Sequence, residues 1–137
     1  MKFATNNKKI NEIKSDCLMV SVFDDGKLRG AAKLVNTSNG KMIEDFIKNK
    51  DIQGKIGQTR IIPVTGKSYK RIVLVGCGTF ESFSQKNYRK AVISALKKIS
   101  LTNHKKIVSL IHDGVEKIDN PKKAYRLSRV LAESWHS

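Results

Sequence analysis

The sequence predicts a single α/β domain in which a mostly parallel central sheet of about five strands carries helices on both faces. Three observations support this prediction. A chain of 137 residues with 39% hydrophobic residues is long enough for one buried core and too short for several domains. Short β-branched runs alternate with helical patterns. The run 72–75 is apolar at every position, which is typical of a strand buried on both faces.

Four apolar runs are predicted to be strands of this sheet, and the first three of them end at turn-forming residues. The segments Asp-Asp-Gly, Thr-Gly-Lys and Gly-Cys-Gly close the first three of them. The four runs are residues 17–22, 59–64, 71–75 and 106–111. A further strand at residues 2–5 is predicted to pair at an edge, which gives about five strands in all.

Helical spacing of apolar residues predicts the layers that cover the sheet. Two pieces lie between the first two strands, with a break at Asn39-Gly40. Their apolar positions are Leu28, Ala31, Ala32 and Val35, and then Ile43, Phe46 and Ile47. A longer helix begins near Ser84 and has a single apolar stripe. That stripe consists of Tyr88, Val92, Ala95, Leu96 and Ile99.

A last helix is predicted from Asn120-Pro121, because an N-cap residue followed by proline is a typical helix start. Its apolar face consists of Ala124, Leu127, Leu131 and Trp135. The sequence stops at Ser137, directly after this face and without a glycine C-cap. We therefore expect the chain to have been cut from a longer protein at a domain boundary.

The composition also bears on location and redox state. No run approaches the roughly 20 apolar residues that a membrane helix needs, and the polar N-terminus lacks the apolar segment of a secretion signal. We therefore expect a cytoplasmic protein without a membrane partner. The two cysteines, Cys17 and Cys77, each lie inside a strand-like run, which favours two buried thiols over a disulfide or a zinc site.

The segment Gly76-Cys77-Gly78 is the tightest local motif, because a buried strand runs through it toward a helix. Phosphate groups often bind at such positions in α/β proteins. The third glycine of a dinucleotide motif is missing, however, and Glu81 stands in its place, where it would repel an anion. Glycines that only shape the turn are therefore the favoured interpretation.

The remaining candidate groups do not form a recognisable active site. The three histidines, His104, His112 and His136, are scattered and have no metal-ligand spacing. His112-Asp113 would pair a base with an orienting carboxylate, but no nucleophile motif accompanies it. Asp24-Asp25 precedes a glycine and indicates a turn. The sequence therefore predicts no catalytic, cofactor-binding or metal-binding residue in this chain.

The formal net charge is +15. Two predicted helices carry much of it: Lys86, Arg89, Lys90 and Lys97 on one, and Lys122, Lys123, Arg126 and Arg129 on the other. Such faces attract nucleic-acid phosphates without sequence preference. Lysines outnumber arginines and no aromatic residues interleave, so a solvated surface is the favoured interpretation. Nonspecific DNA binding stays open.

Residues 28–78 resemble the N-terminal domain of the leucyl (cytosol) aminopeptidase family. Three features occur in the order typical of that domain: a helical stretch with a central glycine, Gly40; the loop 54–59, Gly-Lys-Ile-Gly-Gln-Thr; and a strand that ends in Gly-x-Gly at residues 71–78. The early strand and the helix after Gly-x-Gly are also similar, so the resemblance extends over essentially the whole chain. Ile56 stands where the family often has proline.

The resemblance implies a fold similar to the macro domain, with residues 1–137 forming one non-catalytic domain. In this family two divalent ions, Zn or Mn, and their ligands belong to a separate C-terminal catalytic domain, and the signature Asn-Thr-Asp-Ala-Glu-Gly-Arg is absent here. The chain alone is expected to be inactive. The resemblance further implies a role in homo-hexamer assembly and in restricting access to the active-site chamber, and some members bind DNA.

Two alternatives remain at this point. One is a stand-alone macro-like module that binds ADP-ribose or another nucleotide at Gly76-Cys77-Gly78. The other is a basic domain that binds nucleic acid through the two helix faces defined above.

Overall fold

A computed structural model describes residue 10, residues 12–99 and residues 106–111 of the chain. The strands in this part are β1 (Ser15–Phe23), β2 (Thr59–Pro63), β3 (Tyr69–Gly78) and β4 (Ile107–Ser109). In the same part of the chain, helix α1 covers Ala31–Ser38, α2 covers Met42–Lys48 and α3 covers Gln85–Ile99, and a 3₁₀ turn covers Phe80–Ser82.

Across the described residues the sheet has four strands in the order β2-β3-β1-β4. The long strand β1 is parallel to both β3 and β4, whereas β2 is antiparallel to β3. The prediction of a mostly parallel sheet is confirmed, and all four predicted strands are present. Their bounds differ, because β1 and β3 extend beyond the predicted runs and β4 covers only part of its run. The predicted edge strand at residues 2–5 lies outside the described residues.

Strands β1 and β3 form the centre of the sheet because both of their faces are apolar. Alternating side chains point to opposite faces of a strand, so each strand supplies residues to two cores. One core includes Cys17, Met19, Val73, Val75 and Cys77. The other includes Leu18, Val20, Val22, Ile72 and Leu74. Helices on both faces are therefore required, as the continuous apolar run predicted.

The helices divide between these two faces. The apolar stripe of α3 closes the first core with Tyr88, Ala91, Val92, Ala95, Leu96 and Ile99. The second core is closed by residues of α1 and α2, among them Ala31, Ala32, Val35 and Ile43. The predicted start of α3 is confirmed, since the Ser84 hydroxyl accepts a hydrogen bond from the Asn87 backbone N–H at 3.3 Å, as an N-cap does.

The predicted break between α1 and α2 is also confirmed. Gly40 and Lys41 have positive φ angles of 66° and 62°, which end one helix and redirect the chain into the next. The Asn39 amide donates to the Val35 carbonyl at 2.8 Å and to the Tyr69 hydroxyl at 3.0 Å. This side chain thus connects the break to the start of β3. The helix predicted from Asn120, with Trp135 on its face, lies outside the described residues.

The C-terminus of α2 generates a stability prediction. Lys50 follows the C-cap residue Asn49 and has a φ of 60°, a conformation that disfavours any side chain with a Cβ. We expect Lys50→Gly to raise the free energy of unfolding by about 1 kcal/mol, measured from the urea midpoint. The matched control Lys48→Gly, inside the same helix, should lower it by a similar amount. A lower midpoint for both variants would contradict the prediction.

Candidate functional site

The carboxyl ends of the parallel strands are the edge at which α/β proteins usually bind ligands. Here β1 and β3 end side by side, because Phe23 pairs with Gly78 and the Asp24 N–H donates to the Gly78 carbonyl at 2.9 Å. Gly76-Cys77-Gly78 forms the end of β3, and three other residues considered in the sequence, Asp24, Asp25 and Glu81, follow the two strand ends in the chain. His112-Asp113, by contrast, lies outside the described residues.

The Gly-Cys-Gly segment is covered by the chain's own loop. The N–H groups of Gly76 and Gly78 donate to the carbonyls of Gln58 and Gly54, each at 2.7 Å. A Cβ atom on Gly76 would overlap the Lys55 carbonyl oxygen. The segment is thus filled by backbone, and its donors already have acceptors. These glycines have a structural role here, but the prediction of a turn was wrong, because β3 continues through Gly78.

The covering loop, residues 54–58, is fixed by one side chain. Gln58 Oε1 accepts hydrogen bonds from the N–H groups of Gln53 and Gly54, at 2.8 and 2.9 Å. A Cβ on Gly54 would lie 2.5 Å from the backbone carbonyl of Phe23, so glycine is the residue that permits this approach. Lys98 Nζ donates to the Gly57 carbonyl at 3.3 Å. The loop is therefore bound to the ends of both central strands and to α3.

The two carboxylates after β1 are engaged in turns. Asp24 Oδ2 accepts a hydrogen bond from the Thr79 hydroxyl at 2.8 Å, which connects the β1 end to the β3 end. Asp25 forms an ion pair with Arg29, at 2.7 Å between Oδ2 and Nη2, and also accepts from the Lys27 N–H. The hydrogen bond from Arg29 is the main reason why the pKa of Asp25 is lowered. The turn interpretation of Asp24-Asp25 is confirmed.

A cation and three aromatic rings complete this edge. The Arg29 guanidinium lies 3.8 Å from the centre of the Phe80 ring and 5.1 Å from that of Phe23. Phe23 also makes edge-to-face contacts with Phe80 and Phe83, at 5.2 and 5.1 Å between ring centres. Arg29 was not among the residues that the sequence predicted for this edge. The only sequence feature that points to this ion pair is the spacing of four residues between Asp25 and Arg29.

Neither cysteine is suited to nucleophilic chemistry. Cys17 and Cys77 are buried free thiols, as predicted. Burial raises the pKa of the Cys17 thiol to about 11 and that of Cys77 to about 12. Because the thiolate is the reactive form, both residues are inert at neutral pH.

The remaining predictions concern metal ligands, histidines, basic residues and membrane helices. In the described part of the chain, no three His, Cys, Asp or Glu side chains are arranged to hold a metal ion. The three histidines and the basic residues at positions 122, 123, 126 and 129 lie outside that part. Among residues 12–99 and 106–111 no helix is long and apolar enough to cross a membrane.

Helix α3 presents the predicted basic face. Lys86, Arg89, Lys90 and Lys97 are exposed, as is Lys98, and the helix contains no acidic residue. These cations are carried on the side opposite the apolar stripe that packs on the sheet. The structure thus places the first group of predicted basic residues on one surface.

Taken together, the fold and this edge define a macro-like α/β domain whose usual ligand edge is occupied by its own loop. The macrodomain of Mycobacterium tuberculosis DarG has a similar fold, with a TM-score of 0.64 and 13% identity over 90% of this chain and 87% of that one. A tomato leucine aminopeptidase gives a TM-score of 0.57 and 19% identity, over 72% of this chain and 20% of that one. At these identities the likeness concerns the fold alone.

Sequence comparison then gives the family. Residues 19–134 match the N-terminal domain of the cytosol aminopeptidase family, to which this chain belongs. A probable cytosol aminopeptidase of Buchnera aphidicola from Schizaphis graminum is 33% identical over 87% of this chain and 24% of its own length. One from Burkholderia multivorans is 37% identical over 65% of this chain and 18% of its own length. The chain thus spans about a quarter or less of these relatives.

The covered glycine segment generates a prediction. We expect Gly76→Ala to lower the free energy of unfolding by about 3 kcal/mol or more, because the new methyl group would overlap the Lys55 carbonyl and displace the loop. Gly66→Ala is the matched control. Gly66 has open space around it and a positive φ of 72°, whereas the φ of Gly76 is not positive, so Gly66→Ala introduces backbone strain without overlap and should cost only about 1 kcal/mol. Equal urea midpoints for the two variants would contradict the close packing.

Proposed function

We propose that residues 1–137 are the non-catalytic N-terminal domain of a cytoplasmic, metal-dependent aminopeptidase that removes N-terminal amino acids from peptides. The family match over residues 19–134 is the observation that carries this proposal. The closed edge supports a non-catalytic role, because the donors that a ligand would use at Gly76 and Gly78 are bound to the chain's own loop.

The proposal assigns the metal chemistry to the rest of the parent enzyme. A pair of divalent ions, Zn or Mn, would activate water and stabilise the tetrahedral intermediate of peptide hydrolysis. The described residues do not fit such a pair, since they offer no group of three metal-ligating side chains. No step of the reaction is therefore assigned to this chain.

The role proposed for this domain is in assembly and in control of access to the active site. It would contact its own C-terminal catalytic domain, support a homo-hexamer and restrict access to the active site. A sheet covered on both faces, with its strand ends tied together by the loop 54–58, is a rigid body suited to such a task.

Nucleotide binding at Gly76-Cys77-Gly78 is not favoured. A phosphate would have to displace the carbonyls of Gly54 and Gln58, and the exposed Glu81 lies a short way along the chain from the same strand end. A macro-like fold does not by itself imply that this chain binds the same ligand as another protein with that fold.

Nonspecific DNA binding is a second candidate, and one observation favours it. Helix α3 has exposed cations and no acidic residue, within a chain whose net charge is +15. A surface of this kind releases counterions from DNA on binding.

The parent activity is tested with the full-length protein. Supplied with Mn²⁺ or Zn²⁺, it should release the anilide group from a leucyl anilide, whereas residues 1–137 alone should not. Deletion of residues 1–137 should change the oligomer size in sedimentation velocity. The absence of activity in the metal-loaded full-length protein, or activity in the isolated chain, would overturn the proposal.

DNA binding is tested by charge reversal on α3. The triple variant Lys86→Glu, Arg89→Glu, Lys90→Glu should bind DNA of any sequence more weakly and with a shallower salt dependence, because phosphate contacts are lost. The matched control reverses Lys33, Lys41 and Lys48, which are exposed residues of the α1–α2 region. Fluorescence anisotropy between 50 and 200 mM salt, roughly the range over which such contacts weaken, measures both. An equal loss in the two variants would argue against α3 as the contact surface.

A further inference from the structure

Residues 39–40, at the break between α1 and α2, form the only Asn-Gly pair in the sequence. In such a pair the backbone nitrogen of glycine can attack the amide carbon of the asparagine side chain, because glycine has no Cβ to hinder the approach. The Cγ–Nδ2 bond breaks, ammonia leaves with the proton of the attacking N–H, and a cyclic succinimide forms. Water then opens the ring to aspartate or to isoaspartate, in which the backbone runs through the former side chain.

The glycine that would attack is accessible to solvent. Gly40 is exposed, and a Cβ atom built on it would have no neighbour within 4 Å. Water and hydroxide can therefore reach this part of the backbone, where the reaction begins with loss of the N–H proton. Any protection of the pair in the folded chain must come from the side chain of Asn39.

The side chain of Asn39 is held by two acceptors. Its Nδ2 donates to the Val35 carbonyl at 2.8 Å and to the Tyr69 hydroxyl at 3.0 Å. Val35 precedes Asn39 by about one helical turn, so the amide points back along α1, whereas the Gly40 nitrogen follows Asn39 in the chain. Tyr69 is only 1% exposed, which fixes its hydroxyl. For Cγ to meet the Gly40 nitrogen, the amide must give up both hydrogen bonds.

The backbone beside Asn39 is also held. Lys67 Nζ donates to the Ser38 carbonyl at 2.7 Å, which ties the end of α1 to the segment before β3. The Lys41 N–H donates to the Asn36 carbonyl at 2.8 Å, across the break. Rotation of the Asn39 side chain toward Gly40 therefore requires a local opening of the break.

We propose that Asn39-Gly40 is a deamidation site that the contacts of the Asn39 amide with Tyr69 and Val35 hold unreactive in the native chain. The reaction proceeds when the break between α1 and α2 opens. The product carboxylate has no N–H to donate, so its oxygen would face the Val35 carbonyl oxygen without a hydrogen bond. The modification thus makes the opening permanent.

The test follows deamidation at mildly alkaline pH by mass spectrometry. Trypsin releases the site in one peptide, residues 34–41, because a lysine stands immediately before this segment and another at its end. The same peptide contains Asn36, an internal reference, since the β-branched residue after it hinders attack. We expect Asn39 to deamidate at least about tenfold more slowly in the native chain than in the chain unfolded by urea. Equal rates would overturn the proposal.

The role of Tyr69 is tested by removing its hydroxyl. We expect Tyr69→Phe to deamidate at Asn39 about fivefold faster than the native chain, as the loss of one hydrogen bond predicts. The matched control, Tyr88→Phe, removes the hydroxyl of a buried tyrosine in the other core and should leave the rate unchanged. Equal rates in the two variants, both with native circular dichroism, would also overturn the proposal.

A second pair of variants gives an independent check in case Tyr69→Phe perturbs folding. Asn39→Asp reproduces one product of the reaction, and Asn49→Asp is its control. Asn39 and Asn49 are the C-cap residues of α1 and α2, so each change puts a negative charge at a helix C-terminus. Asn39→Asp should lower the urea midpoint more than Asn49→Asp, because it also removes the two hydrogen bonds of the amide. Equal midpoints would overturn the assignment of those bonds.

Discussion

The close approach between the loop 54–58 and the ends of β1 and β3 is the constraint on which the rest of the molecule depends. It brings backbone against backbone at Gly54 and Gly76, where a Cβ atom would meet carbonyl groups. Because the approach satisfies the N–H groups of Gly76 and Gly78, the last residues of β3 remain paired beyond the start of β2. A loop that follows α2 in the chain thus becomes part of the sheet edge.

In this arrangement the chain itself occupies the edge at which α/β proteins usually bind ligands. In α/β proteins the strand ends are free to bind ligands when glycine turns leave N–H groups directed into open space. Here those groups bond to the chain itself, Asp24 and Asp25 bond to Thr79 and Arg29, and the guanidinium covers the Phe80 ring. At this edge, each of these polar groups therefore bonds to another part of the chain.

The sequence predicted which segments form strands and helices better than it predicted how those segments pair and contact one another. Apolar runs and helical stripes located the four described strands and the helices α1, α2 and α3, because burial alone sets those patterns. They did not predict that β2 is antiparallel to β3, since the same run of residues suits either direction. They also did not predict the role of Gln58, because its side chain bonds to backbone N–H groups whose positions only the folded chain defines.

The sequence predicts no active site, and the structure describes the surroundings of only some of the residues considered for one. Asp24, Asp25, Cys17 and Cys77 are accounted for by contacts or burial, whereas the histidines lie outside the described residues. The Gly76-Cys77-Gly78 segment was the one motif for which the sequence allowed both a ligand-binding and a structural interpretation. Only the partner of its N–H groups distinguishes them, and that partner, residues 54–58, is about 20 residues away in sequence.

The net charge of this domain affects which surfaces it can contact. The net charge of +15 already counts every acidic residue, so it must be balanced by solvent ions or by a partner, whatever ion pairs such as Asp25–Arg29 form within the chain. Like charge opposes contact between copies of this chain. Contact is favoured with a molecule that presents a surface of opposite charge. The cation-rich face of α3 is where such a surface would gain most from contact.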